Sequence, residues 1–139
     1  MITGLNILNV NANVDSAGAL SKQRFPKLNI NIEKVEGANE KVKVIFTFVA
    51  EYLDGDAKES KTVASIKMDG NVEISESKDN VKSIVSKWDK EHMLPVNVAE
   101  EVINGLNFRC SSVGTLVAYS MGLIPPMVIS TTKIQEPSK

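Results

Sequence analysis

Alternation of apolar and polar positions marks four strands in the first half of the chain. Across Leu5–Val14, Leu8, Val10, Ala12 and Val14 alternate with asparagines, the period-two pattern of a half-buried strand. Asparagine is a poor strand former, which predicts a peripheral strand or one held by partners. Asp15–Phe25 reads as a polar loop closed by Pro26. In Lys27–Val35, Leu28, Ile30 and Ile32 face one way while Asn29, Asn31 and Glu33 face the other. The Gly-containing turn Glu36–Glu40 then predicts a hairpin into Lys41–Leu53. This third strand is the most apolar. Val42, Val44, Phe46, Phe48, Ala50 and Tyr52 share one face, and Ile45, Val49 and Leu53 lie on the other beside Lys43, Thr47 and Glu51. A strand apolar on both faces is expected to be central and covered on both sides. Asp54-Gly55-Asp56 reverses the chain. Thr62–Ile74 resumes the alternation through Ala64, Ile66, Met68, Val72 and Ile74, against a wet face of Lys67, Asp69, Asn71 and Glu73. Gly70 falls on the apolar face, where it predicts a bulge or bend.

The period then changes from two to 3.6. Val81, Ile84, Val85 and Trp88 give Asp79–Trp88 the stripe of a short amphipathic helix. A second, longer helix is predicted from about Asn97 to Met121, with Val98, Val102, Ile103, Leu106, Cys110, Val113 and Val117 recurring at helical spacing. Asn97 reads as its N-cap with Glu100 reaching back, the Asn form of a capping box. Gly122 supplies a stop and Pro125-Pro126 forbid resumption. The sum is an α+β fold: a four-stranded antiparallel sheet, a meander if neighbours pair, with a short helix and one long C-terminal helix packed on one face. One domain over residues 1–139 is expected. It divides into an N-terminal strand and loop (1–26), a strand block (27–76), a helical part (79–129) and a frayed tail (130–139).

Composition narrows the function classes. A net charge of −1 and a pI near 5.9 give no basic footprint for nucleic acid. No stretch approaches the ~20 apolar residues of a membrane span. The N-terminus lacks the charged leader and long apolar run of a secretory signal. A single cysteine, Cys110, lies on the apolar stripe and reads as a core residue, so a cytoplasmic location is expected. Catalytic chemistry finds no purchase. His92 is the only histidine, in Glu91-His92-Met93, with no nucleophile elbow in the chain. Asp54, Asp56 and Glu59 lack the ligand pattern of a calcium loop. Gly105 and Gly114 lack phosphate-loop spacing, and read as sites of close packing or a helix break. No enzyme, metal or cofactor is expected. What remains is apolar area in excess of what one long and one short helix cover, the mark of oligomerisation or ligand binding.

The order of these elements, ending in Gly-x-x-Pro and a short apolar tail, resembles the SecB family of export chaperones over roughly Leu28–Ile129. The block PKLNINIEKVEGANEKVKVIFTFVAEYLDGDAKESKTVASIKMDGNVEI is similar to that family's strands. Ala99, Glu101 and Ile103 stand where its main helix shows Ala-x-Glu-x-Ile, and Gly122, Pro125, Met127 and Ile129 resemble its exit from that helix. The resemblance implies an ATP-independent holdase without metal. It would bind unfolded client polypeptides in apolar grooves as a dimer or dimer of dimers, with export machinery as a further partner. On that basis Phe46, Phe48, Tyr52, Met68, Leu123, Ile124 and Met127 are groove candidates, although each also fits intrasubunit core, the favoured reading for the two phenylalanines. Val102, Leu106, Val113 and Val117 are interface candidates. The alternative is a noncatalytic small-ligand binding or dimeric regulatory module. A holdase needs a long open groove, a small-ligand protein a closed pocket with convergent polar groups.

Overall fold

The computed structural model describes residues 1–15, 26–53 and 62–126. Strands β1 (Ile2–Val14), β2 (Lys27–Ala38), β3 (Lys41–Leu53) and β4 (Thr62–Ser75) precede helices α1 (Lys78–Glu91) and α2 (Val96–Met121). All pairings are antiparallel, in the order β1-β4-β3-β2. Strands β2 to β4 form the expected meander, but β1 pairs with β4 instead of β2. Two physical reasons favour this placement. Residues 15–26 form too long a connection to impose a hairpin between β1 and β2. In addition, β4 offers polar partners that β1's asparagines can use.

Those partners form a cross-strand ladder on the face away from the helices. Asn6 donates to Asn71 Oδ1 at 3.1 Å, Asn9 to Asp69 Oδ2 at 3.4 Å, and Asn13 to Ser65 Oγ at 3.5 Å. Side chains directly opposite across an antiparallel pair are the unit that fixes register. The asparagines therefore fit an edge strand bonded through its polar face, although they are poor strand formers. The register slips between Ile7 and Asn9, opposite Gly70 and Asp69. A Cβ on Gly70 would run into the Asn6 carbonyl oxygen, so the predicted irregularity at Gly70 is real and marks a close crossing of β1. One extra residue reverses which side chains face inward. Ile2, Leu5 and Ile7 pack on the core before the slip, and Leu8, expected inside, is thrown out with 70% of its surface exposed.

The core lies between the sheet and both helices. Val42, Val44, Phe46, Phe48, Ala50 and Tyr52 of β3 are fully buried, as are Ile66, Met68 and Val72 of β4. Helix α1 rests on β2 and β3, and α2 on β1 and β4. Among the described residues only this face of the sheet is covered by helices. Ile45, Val49 and Leu53, on the other face of β3, are half-buried among polar neighbours.

Local chemistry sets the helix ends. Ser77 caps α1, its hydroxyl accepting from the Asn80 amide at 3.3 Å. The capping box expected at Asn97 is not formed. Pro95 occupies the N-cap of α2 with no side-chain cap bond, and its carbonyl accepts from the Ala99 amide at 2.8 Å. Helical bonding has thus begun before Asn97, which falls in the first turn. At the other end Gly122 adopts φ 71°, and the amides of Gly122 and Leu123 return to Tyr119 and Ala118. This is a Schellman ending, and it needs the left-handed conformation that glycine accepts at least cost. The helix runs through Gly105 and Gly114 without a break. At Gly114 an added Cβ would stand 2.6 Å from Pro126 Cγ, so the missing side chain is the space into which the segment after α2 folds back.

Candidate functional site

The groove candidates divide by burial. Phe46, Phe48, Tyr52 and Met68 are sealed between sheet and helices instead of lining an open groove. For the phenylalanines this is the reading their alternation favoured. Tyr52 donates its hydroxyl to the Ile124 carbonyl at 2.5 Å, and burial pushes the phenol up to about 12. Leu123 is buried and Ile124 half-buried, so the turn after α2 closes this end of the core. Met127 lies outside the described residues. The interface candidates divide likewise. Val102 and Leu106 are fully buried on the protomer's own sheet, while Val113 and Val117 are half-buried. The reason is the same in both sets: α2 spends most of its regular apolar stripe on β1 and β4, and leaves Val113 and Val117 partly uncovered.

What stays open is the β2 side of the molecule. Among the described residues β2 is an edge of the sheet, with β3 on one side and no strand on the other. Its inner face presents Leu28, Ile30 and Ile32, all half-buried. A cleft of about 230 Å³ lies there, lined by Ile30, Asn31 and Ile32 of β2, Trp88 and His92 at the end of α1, and Leu94, Ala99, Val102 and Ile103 leading into α2. The walls are mostly apolar, with Asn31 and His92 as polar members, and the volume suits one or two large side chains. His92 adopts the left-handed conformation, φ 54°, and its amide bonds the Trp88 carbonyl at 2.8 Å. The imidazole stacks on the Trp88 indole, centroids 5.5 Å apart and planes 18° from parallel, with Nδ1 2.9 Å from the same carbonyl. Its ring is thus fixed as a helix cap and a wall of the cleft.

A second open surface runs along the outside of α2. Phe108, Leu116 and Tyr119 are 77%, 72% and 73% exposed. Ser112 fills the intervening turn, its hydroxyl bonded back to the Phe108 carbonyl at 2.8 Å. Spacings of eight and three place all three large residues on one stripe. The pattern 108-112-116-119 was available in the sequence, but the more regular buried stripe masks it. Cys110 is buried, and desolvation pushes its thiol up to about 12 against a smaller opposing pull from Arg109. It is chemically quiet. Among the described residues no three His, Cys, Asp or Glu side chains gather as a metal site. No described helix is long and apolar enough to cross a membrane.

No protein-family model matches the sequence, and no curated protein matches it significantly. Among solved structures the chain is similar to the SecB-like chaperone Rv1957 of Mycobacterium tuberculosis, determined in complex with a ChAD peptide from the Rv1956 HigA1 antitoxin. The TM-score is 0.63 with 12% sequence identity, over 100% of this chain and 92% of the other. At that identity the likeness is one of fold. The chain has a SecB-like α+β fold.

Proposed function

We propose that this protein is a molecular chaperone of the holdase type, binding non-native polypeptide at the β2 edge without ATP or metal. The observation that carries this reading is the unpaired edge of β2 beside an apolar cleft sized for a side chain. An extended chain laid along that edge gains main-chain hydrogen bonds whatever its sequence, and alternate side chains reach the cleft. Unfolded segments offer both features and folded proteins hide them. The SecB-like fold supports the reading, as does the peptide carried by the structural neighbour. A small-ligand module is less well served, because the cleft is open and lacks convergent polar groups.

The working form is proposed to be a homo-oligomer in the cytoplasm, with export machinery as a downstream partner. Phe108, Leu116 and Tyr119 supply its interface, since an exposed apolar stripe of this kind marks an association surface. The deciding experiment is suppression of light scattering as a chemically denatured client is diluted into buffer. The wild-type protein should suppress it, and Ile30→Glu with Ile32→Glu should not. Equal suppression by the double variant would place binding elsewhere. No suppression by the wild type, with the small-ligand module as the remaining reading, would remove the holdase proposal.

A further inference from the structure

The flank of α1 that meets the β2–β3 hairpin carries a second groove, larger than the cleft below Trp88. Its volume is about 570 Å³, and it is lined by Gly37 and Asn39 of the hairpin and by Val81, Val85, Lys78, Lys82, Ser86, Asp89 and Lys90 of α1. Its floor is apolar and shallow by construction. A Cβ on Gly37 would stand 2.6 Å from Val85 Cγ2 and 2.8 Å from Val81 Cγ1, so only glycine lets the helix settle this close to β2. Its rim is cationic. Lys78, Lys82 and Lys90 are exposed, and none forms an ion pair with a carboxylate among the described residues. Asp89 is the one acid in the lining. Three cations against one anion stand out in a chain whose net charge is −1.

The rise from Lys78 to Lys82 fits an extended chain. Along the helix axis Lys78 and Lys82 are ~6 Å apart and Lys82 and Lys90 ~12 Å apart. An extended strand returns a side chain to the same side every ~6.8 Å. Residues two positions apart on such a strand match the rise between Lys78 and Lys82, and Lys90 lies further along and around the helix.

We infer that this groove is a charge-selective docking site for extended polypeptide segments in which apolar and acidic residues alternate. The inference rests on the holdase reading and names a class of client. The apolar side chains cover the Val81–Val85 floor, and the carboxylates replace the counter-ions of three otherwise unpaired lysines. Contacts between groups this exposed are worth little singly and are screened by salt. The site therefore works as a filter on which segment is retained, and the β2 edge supplies the general attraction.

The test uses two dye-labelled eight-residue peptides, one alternating valine with glutamate and the other valine with lysine. Their binding is followed by fluorescence anisotropy. The wild-type protein is expected to bind the glutamate peptide at least tenfold more tightly at low salt. Lys78→Gln, Lys82→Gln and Lys90→Gln together should erase that preference, as should 0.5 M salt. The same triple variant should still suppress scattering by an uncharged client, which shows that it is folded. Equal affinity for the two peptides on the wild-type protein, or a preference that survives the triple substitution, overturns the inference and leaves the holdase reading standing. Binding of neither peptide by a protein that also fails to suppress scattering overturns both. A triple variant whose mass in peptide-free solution falls below that of the wild type would assign the groove to self-association, and would also overturn it.

Discussion

The two helices rest on the same face of the sheet, yet they treat water differently. Helix α1 is amphipathic. Val81 and Ile84 go inward, and lysines, aspartates and serines go outward. Helix α2 is apolar on both sides, with Val98, Val102, Leu106, Cys110 and Ala118 inside and Phe108, Leu116 and Tyr119 outside. No described residue of the chain covers the second set. The comparison teaches that α1 meets water with polar side chains while α2 meets it with large apolar ones, and it predicts that substitutions on the two sides of α2 report on different equilibria.

The largest effect belongs to the inner side. Leu106→Ala removes a fully buried side chain from the centre of the α2–sheet contact and leaves a cavity. It should cost about 2–5 kcal/mol of unfolding free energy in a urea titration. A loss below about 1 kcal/mol would mean that α2 is not the lid of this core. The outer side should behave in the opposite way. Phe108→Glu with Leu116→Glu is expected to reduce the particle mass in solution to that of one chain. The stability of that chain should stay within about 0.5 kcal/mol of the wild-type protomer, as for exposed positions away from structural features. A double variant that keeps the wild-type mass would leave the outer stripe of α2 without a partner and the contrast with α1 without a cause.

The same contrast explains which parts of the structure were legible in the sequence. Periodicity found all four strands and both helices, because every one has a face buried by the chain itself. It placed Val81, Ile84, Val102 and Leu106 on apolar stripes, and all four are buried. It could not order the sheet. Pairing of β1 with β4 depends on contacts such as Asn6–Asn71, between residues far apart in the chain. Nor could it foresee that Leu8 points outward, since one slipped residue at Ile7–Asn9 reverses the alternation without altering the pattern as read. The functional surfaces were less legible still. A hydrophobic stripe states that a side chain avoids water, and it does not state whether its own sheet or another molecule does the covering. Phe46, Phe48, Tyr52 and Met68 went to the protomer's own core, whereas the open cleft combines β2 with Trp88 and His92, brought together only by the fold.

A smaller effect tests how the two helices are joined. His92 ends α1 in the left-handed region, where side chains other than glycine pay a conformational cost. His92→Val should therefore destabilise by about 1 kcal/mol through backbone strain. His92→Gly should be close to neutral for stability while removing one wall of the cleft. If the glycine variant keeps its stability and loses affinity for client, the ring contributes to binding. If both variants lose stability equally, the stack on Trp88 matters more than the backbone conformation.

The smallest effect lies at the start of α1 and has a defined pH dependence. Glu76, just before the Ser77 cap, accepts from Asn80 Nδ2 at 3.1 Å and from the Met1 ammonium at 3.3 Å. The Asn80 bond, followed by the bond to the chain terminus, holds its carboxyl below the ordinary carboxylate value of 4.5. A group whose value is lowered by folding contributes stability that is fully present above its unfolded value. That contribution is lost as pH falls through the folded value. Glu76→Gln keeps the shape and part of the hydrogen bonding but cannot titrate. The variant should be slightly less stable than wild type at pH 7. The difference should shrink below the ordinary carboxylate value and close once pH has fallen through the lowered folded value, where the wild-type carboxyl is protonated as well. The convergence is the informative part. A gap of constant size at every pH would mean that the charge of Glu76 is idle, and that the tie between β1 and the start of α1 is carried instead by backbone bonds such as Met1–Ser75.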